Sequence, residues 1–284
     1  MLNIVTVGGG TGSYAVLSGL KNLSNISISA IVSMADDGGS TGILRRELEV
    51  HPMGDIRQCL AALTPNKALH NFMEHRFSKG NLVGHMSGNI FLAALEIATG
   101  SFEASLKIAT KFLQPKGVVI PVTLDNAELS VLLTTGQKIE DESKINNIDL
   151  KIPDVKKIFY KNKVKLNPKA ARAIREADYI IICPGDFYTS IVPNLIVSGF
   201  KGALAQSKAK IIAIENLDNK EVDNYLNKLE WYLGKRVDNL ISGDKSLMSR
   251  KIIIKDPADT TKRSLIRHDS EKLAKCIQKI IRRK

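Results

Sequence analysis

The chain has 284 residues, 44% hydrophobic and 25% charged, a globular composition that excludes disordered and fibrous classes. No apolar run reaches membrane-spanning length, and the apolar N-terminus leads directly into a glycine-rich turn, so neither a membrane span nor a signal peptide is predicted. The three cysteines are widely spaced, which favours a reducing, cytoplasmic setting, and no Cys/His spacing resembles a zinc site.

The net charge of +12 is strongest at the C-terminus, where residues 251–284 hold 11 Lys/Arg against 4 Asp/Glu. Leu273, Ile277 and Ile280 are spaced like one helix face, which predicts a packed helix over 271–283 with a solvated basic side. No aromatic residues are interleaved there to stack bases, so nucleic-acid binding is not predicted. A basic protein also suits an anionic small ligand.

The first element is an apolar strand that runs into a glycine-rich turn, before a helix predicted over 13–23. Backbone N–H groups and the helix N-terminus in such a turn can cradle a phosphate. The alternative is a tight turn without a ligand, because the spacing matches neither the dinucleotide fingerprint nor the P-loop. The candidate phosphate-binding residues are Gly8, Gly9, Gly10, Thr11 and Gly12.

A second β-rich run, 26–34, ends in another glycine-rich segment. Its adjacent carboxylates could bind ribose hydroxyls, hold Mg²⁺ on a diphosphate or position an acceptor hydroxyl. They could instead form an Asx turn that caps the next helix. The candidate ligand-binding residues here are Asp36, Asp37, Gly38, Gly39 and Ser40.

Two polar segments follow in regions predicted to be helical. Asp55 is interpreted as a helix N-cap, and Arg57 could clamp a phosphate or be a plain surface charge. Ser87 is expected to cap the next helix, predicted over 90–98, while Asn89 offers a donor and an acceptor to a ligand. A lone histidine is usually structural, and His85 is interpreted in that way.

A short strand is predicted at 118–122. The polar, β-leaning stretch over 128–165 is interpreted as an insertion or a small sheet, and the alternation of strands and helices resumes after it. A buried strand, 179–183, ends in a polar turn whose hydroxyls could donate to a second phosphate or a sugar, or merely cap a helix. The candidate residues of this region are Gly185, Thr189, Ser190 and Asn194. The remaining predicted elements are helices over 169–176, 194–197 and 221–233 and a strand over 210–215.

Repeated βα units predict an α/β fold with a Rossmann-like, doubly wound, mainly parallel sheet in a single domain over 1–284. Ligands of such sheets lie at the carboxyl ends of the strands, where all three polar turns fall. No nucleophile–base pair stands out, and Cys59 and Cys183 are interpreted as core residues.

Several motifs, taken in order over residues 1–217, resemble one family. They are VGGGTG, ADDGGSTG, HPMGDIRQCLAAL, HRF, GHMSGN, GVVIPVT and CPGDFYTSIVPNLIV. Together they resemble the YvcK-type gluconeogenesis factors of the CofD-like superfamily, which includes 2-phospho-L-lactate transferase. The resemblance implies a Rossmann-like, cytoplasmic protein.

The resemblance implies two functions. A YvcK-type protein binds UDP-sugars and is linked to cell shape and envelope synthesis on gluconeogenic carbon, with no firmly assigned reaction and no required cofactor. A CofD-type enzyme moves a phospho-acyl group from a nucleoside diphosphate donor to an acceptor hydroxyl with Mg²⁺. By resemblance, the first glycine turn takes the nucleotide or its diphosphate, Asp36 and Asp37 lie near the transfer centre or sugar, and Asn89 and the turn at 185–190 complete the pocket. The sequence leaves open whether the protein forms a homodimer.

The sequence departs from this family pattern at four places. Cys183 stands where glycine is usual, Asp186-Phe187 replaces Ser-Leu, and Ile43 stands where arginine is common. A Gly-Glu-Thr and Gly-Tyr-Ser stretch expected after Leu217 is missing. These departures bear on which ligand is bound.

Overall fold

A computed structural model describes residues 1–146, 154–216, 222–242, 252–254 and 265–282. Its main sheet has six strands in the order β3-β2-β1-β7-β8-β9, and every neighbouring pair is parallel. Helices flank this sheet, which confirms the predicted doubly wound α/β class. The main-sheet strands are β1 Leu2–Gly8, β2 Ile26–Val32, β3 Val118–Pro121, β7 Tyr179–Ile182, β8 Lys210–Ile214 and β9 Asn239–Ile241.

The helices connect the strands and cover the sheet. They are α1 Gly10–Leu20, α2 Gly39–Leu48, α3 Gly54–Leu63, α4 Lys67–Glu74, α5 Ser87–Thr99, α6 Phe102–Leu113, α7 Glu142–Asn146, α8 Pro168–Glu176, α9 Val192–Leu195, α10 Phe200–Gln206, α11 Val222–Leu233 and α12 Ser270–Arg282. A 3₁₀ turn, Gly80–Leu82, precedes α5, and a π-helical turn, Phe187–Ile191, precedes α9. None of these helices is long and apolar enough to cross a bilayer.

The central strands are buried on both faces, as parallel strands covered by helices require. In β7 all four residues are buried, and β1 is buried from Ile4 to Gly8. The strand order reverses between β1 and β7, because the chain moves outward on one side through β2 and on the other through β8. This reversal point is where open α/β sheets bind their ligands.

The polar stretch at 128–165 forms the expected small sheet, with strands β4 Leu129–Leu133, β5 Lys138–Glu140 and β6 Val155–Tyr160. These strands are antiparallel, and β4 lies between the other two. A further antiparallel pair, β10 Ile252–Ile254 with β11 Leu265–Arg267, was not expected from the sequence.

The predicted C-terminal helix is confirmed as α12, which packs against α1 through buried Leu273 and Ile277. Gly19 permits this packing, since a Cβ there would lie 2.2 Å from the carbonyl oxygen of Ser270. Predicted boundaries shift by up to three residues: α1 begins at Gly10 rather than at Ser13, and α5 begins at Ser87 rather than at Ile90. The sequence left α2, α6, α7 and α10 unpredicted. The segment after Leu217, where the stretch expected from the family resemblance is missing, lies outside the described residues.

Candidate functional site

The first glycine turn joins β1 to α1 at the reversal point of the sheet. Helix α1 begins at Gly10, and its first turn presses against the segment that follows β7. A Cβ on Gly12 would lie only 1.6 Å from the carbonyl oxygen of Pro184. Glycine at this position is therefore required by close packing of two polypeptide backbones.

A carboxylate of the protein faces the N-terminus of α1. The backbone N–H of Gly10 donates to Asp55, and Cβ atoms on Gly9 and Gly10 would lie 2.9 Å and 2.4 Å from the oxygens of that carboxylate. The position that was predicted to cradle a phosphate thus already has a negative side chain beside it. Asp55 was also interpreted as an N-cap, which is wrong, because α3 begins at Gly54 and its N-cap is Met53.

Asp36 lies next to Asp55 at this edge of the sheet. One Asp36 oxygen accepts the N–H of Gly38 at 3.0 Å, which forms the Asx turn considered above, and a Cβ on Gly54 would lie 2.3 Å from the other oxygen. Burial raises the pKa of Asp36, and the neighbouring Asp37 adds to the effect. Burial raises the pKa of Asp55 well above its usual range, and the charge of Asp36 raises it further. We call these two side chains the Asp36–Asp55 pair.

The positive charge of Arg57 acts on both members of this pair and favours ionisation of their carboxyls. Its side chain is buried, and Nη1 donates to the carboxylate of Glu74 and, at 3.2 Å, to the carbonyl oxygen of Met73. Because Arg57 is buried, it is not a plain surface charge; its Nη1 is engaged with protein groups, while its Nε is buried without a partner among the described atoms. It partly balances the Asp36–Asp55 pair.

Further carboxylates come from the small sheet and from the turn after β7. Asp37 accepts the backbone N–H of Ser143 at 2.6 Å, so it ties α7 to the main sheet. The adjacent Glu142 has a pKa raised to about 8, first by burial and then by Asp36, Asp37, Asp55 and Asp186. These five side chains form a carboxylate cluster at the carboxyl edge of the sheet.

Ser40 lies in a network of hydrogen bonds at the start of α2. Its Oγ is 3.1 Å from Nδ1 of His85 and accepts from Nδ2 of Asn89 at 3.3 Å and from the N–H of Met86 at 3.4 Å. Gly39, which precedes it, has a φ of +46°, a value that suits glycine. The sequence did not indicate this contact between Ser40 and His85. The Oδ1 of Asn89 is buried without a partner among the described atoms.

The turn after β7 is fixed by its own polar side chains. Asp186 accepts the N–H and the hydroxyl of Thr189 at 2.8 Å and 2.9 Å, which is a capping role. Asn194 donates to the carbonyl oxygens of Gly8 and Ser190 at 3.2 Å and 2.9 Å. Asn194 therefore links this turn to the first glycine turn.

A cavity of about 510 Å³ opens beside Asp37, between α2 and the small sheet. Its lining includes three cations, Arg45, Arg46 and Lys144, and three carboxylates, Asp37, Glu128 and Asp141. The volume lies within the range of about 300–1,000 Å³ that small-molecule sites occupy. We call this the α2 cavity.

The two cysteines near the site are buried, as expected of core residues. Burial raises the pKa of Cys183 to about 12 and that of Cys59 well above its usual range. Both thiols therefore stay protonated at neutral pH, and neither is a ready nucleophile.

The carboxylates were tested for fit to Mg²⁺. The described residues contain no group of three or more His, Cys, Asp or Glu side chains placed to hold a metal ion by themselves. Mg²⁺, however, commonly uses one or two carboxylates together with waters and substrate phosphates. The Asp36–Asp55 pair, two adjacent oxygen donors with a mutual repulsion that a cation would relieve, fits this pattern.

The structure brings together much of what the sequence singled out. The glycine turn, Asp36 and Ser190 converge at one edge, since Ser190 packs against Gly9 and Gly185. Sequence reasoning missed Glu142 and misassigned Asp55, and it did not indicate that His85 contacts Ser40. The Gly-Asp pair at 54–55 was a usable signal, because a glycine before a buried carboxylate lets another segment approach closely.

Comparisons with known proteins agree with this architecture. A family model described as "2-phospho-L-lactate transferase CofD" matches residues 4–284. The chain is 33% identical over 314 residues to the gluconeogenesis factor of Bacillus subtilis, covering 98% of each chain. It is 41% identical over 228 residues to that of Halalkalibacterium halodurans, covering 78% of this chain and 70% of the relative.

A crystal structure of a UPF0052 family member from Bacillus halodurans is similar over the whole fold. The TM-score is 0.84 at 31% identity, covering 98% of this chain and 100% of the other. These matches span both halves of the sheet and the small insertion. The chain therefore belongs to the CofD family, and the relatives it resembles are gluconeogenesis factors.

Proposed function

We propose that this protein binds a nucleoside diphosphate conjugate of the nucleotide-sugar class and acts as a cytoplasmic regulator of the gluconeogenesis-factor type. The observation that carries the proposal is the Asp36–Asp55 pair, two half-buried carboxylates beside a glycine turn at the reversal point of the sheet. Two carboxylates repel a diphosphate unless a divalent cation lies between them. The link to cell shape and envelope synthesis that the resemblance implies belongs to the same proposal.

The surrounding residues have different roles in binding the ligand. Asp36 and Asp55 would hold Mg²⁺, which when bound offsets the charge between carboxylates and phosphates. Of the cations that line the α2 cavity, Lys144 pairs with Asp141, whereas Arg45 and Arg46 take part in none of the ion pairs found in the described part of the chain and would contact the anionic ligand. Asn194 holds the glycine turn in position through the carbonyl oxygen of Gly8.

A calorimetric titration with UDP-N-acetylglucosamine and with GDP, each with and without Mg²⁺, tests the proposal. We expect the uridine compound to bind in the presence of Mg²⁺, and Asp55→Asn to weaken binding about tenfold or more, since one metal ligand is changed. The exposed Glu103→Gln variant is the matched control and should bind normally. If neither nucleotide binds in the presence of Mg²⁺, the proposal is contradicted.

A CofD-type phosphotransferase is the second candidate, and the contact between Ser40 and His85 favours it. A histidine ring nitrogen 3.1 Å from the Ser40 hydroxyl at the start of α2 would accept a proton from an acceptor hydroxyl that takes the place of Ser40 and attacks a phosphate. Preference for the guanosine compound, with turnover that His85→Ala removes while binding persists, would favour the enzyme. Binding of the uridine compound without turnover of any added acceptor would favour the regulator.

A further inference from the structure

A second groove, of about 480 Å³, shares no lining residue with the candidate site. It is lined by β6, by the segment Leu195–Gly199 after α9, and by residues of α10 and α11. Nothing in the proposed nucleotide function uses it. We call it the lysine groove.

Four lysines define its charge: Lys156, Lys157, Lys201 and Lys228. The lining contains no described carboxylate, and these lysines take part in none of the ion pairs found in the described part of the chain. An irregularity in the pairing of β4 with β6 leaves Lys156 opposite no partner, and both it and Lys157 are exposed. The groove therefore carries an unbalanced positive potential.

Beneath the lysines the groove is apolar. Ile158, Leu195 and Val197 are buried at its base, while the side chain of Trp231 at its side is 66% exposed. The Lys201 ammonium lies 5.2 Å from the centre of the indole ring and donates to the Trp231 carbonyl oxygen at 3.1 Å. The cation–π contact with Lys201 therefore places the exposed indole ring at the side of the groove, which suits an anchor of an interface.

We propose that the lysine groove docks an acidic segment of a partner protein, with an apolar side chain between the groove base and Trp231 and carboxylates facing the lysines. Charge complementarity selects this occupant. A second copy of the chain is disfavoured, because each copy carries a net charge of +12.

The groove is also a poor match for nucleic acid. Its cations are all lysines, so it lacks the planar arginine forks that suit phosphates. Trp231 is the chain's single tryptophan, and the groove presents no series of exposed rings on which successive bases could stack.

The test uses a fluorescein-labelled peptide of glutamates flanking two leucines, titrated into the full chain at physiological salt. Because Trp231 is the only tryptophan, its emission reports occupancy of the groove directly, and peptide anisotropy gives the affinity. We expect saturable binding, and an affinity loss of about tenfold or more in the Lys156→Glu, Lys201→Glu double variant. Trp231→Ala should weaken binding about tenfold and Trp231→Phe much less.

The matched control is the Lys107→Glu, Lys111→Glu double variant, which makes the same charge change on exposed residues of α6. Normal binding by this control supports the proposal. Equal weakening by both double variants would overturn it, since diffuse attraction to a basic protein would explain the binding. Absence of saturation at about 1 mM peptide, or equal competition by a single-stranded oligonucleotide, would also overturn it.

Discussion

At the scale of single residues, Asp55 shows what sequence can and cannot reveal about this site. A polar residue before an apolar helical run is typical of an N-cap, and that interpretation needs no knowledge of distant contacts. In the structure the N-cap is Met53, two residues earlier, and the Asp55 carboxylate accepts the N–H of Gly10, far away in sequence. The partner of a buried carboxylate is a tertiary property, so local sequence could not identify it.

Glu142 gives a prediction about pH. Its pKa is about 8 in the folded chain, against 4.5 ordinarily, so the folded state holds a proton that the unfolded state releases between these values. Its contribution to stability is therefore complete below pH 4.5 and is lost as pH rises to about 8. We expect Glu142→Gln to raise the free energy of unfolding at pH 8 by about 1–3 kcal/mol, with little change at pH 4.5.

Urea unfolding at both pH values in metal-free buffer measures this difference. The exposed Glu47→Gln variant serves as control and should change neither value appreciably. A Glu142→Gln variant with the same gain at pH 4.5 as at pH 8 would show that the carboxylate cluster does not raise this pKa.

At the scale of elements, the sequence predicted the alternation of strands and helices because the main-sheet strands are short, continuous apolar runs. It missed α6, although the signal is present: Ser101 caps the helix by accepting the N–H of Ala104, and apolar residues then recur at helical spacing. It missed α2 because glycines at 38, 39 and 42 are typical of a loop. Of these glycines, Gly42 permits a close approach, since a Cβ there would lie 1.9 Å from the carbonyl oxygen of Asp37.

The junction of α1 with the turn after β7 makes a prediction for Gly12. A Cβ at this position would collide with the Pro184 carbonyl group, which is backbone and cannot rotate away. We expect Gly12→Ala to lower the free energy of unfolding by about 1–3 kcal/mol and to impair ligand binding. Thermal and urea unfolding, together with the nucleotide titration, measure the two effects.

Gly202, in the interior of α10, is the matched control. A Cβ there meets nothing within 4 Å, so Gly202→Ala should stabilise the protein by about 0.5–1 kcal/mol through better helix propensity. If Gly12→Ala and Gly202→Ala change the free energy of unfolding equally, the backbones at Gly12 and Pro184 do not approach as closely as described.

At the scale of the whole molecule, the sequence indicated a doubly wound sheet and the edge that carries the site, but not the neighbours of each strand. The N–H of Asn3 in β1 donates to the Asp178 carboxylate at 2.7 Å, and these residues are 175 positions apart. Similarly, the carboxylate cluster needs Glu142 from the small sheet. Contacts of this range depend on how the complete core packs, which local periodicity does not specify.

The packing of α12 on α1 yields a prediction that separates a structural from a nucleic-acid role of the basic C-terminus. Leu273 is fully buried, so Leu273→Ala should cost about 2–5 kcal/mol in urea unfolding. The exposed Lys275→Ala should change stability by less than about 0.5 kcal/mol. Similar small effects of both substitutions would mean that the helix does not contribute to the core.

The same packing has a consequence for the order in which the chain folds during its synthesis. Strand β1 and helix α1 leave the ribosome first, yet β1 pairs with β7 and α1 is covered by α12, both of which emerge much later. The apolar surfaces of β1 and α1, on either side of the glycine turn, therefore stay uncovered until translation has passed Arg282. A chaperone that binds this N-terminal segment would have to stay bound until α12 has been synthesised.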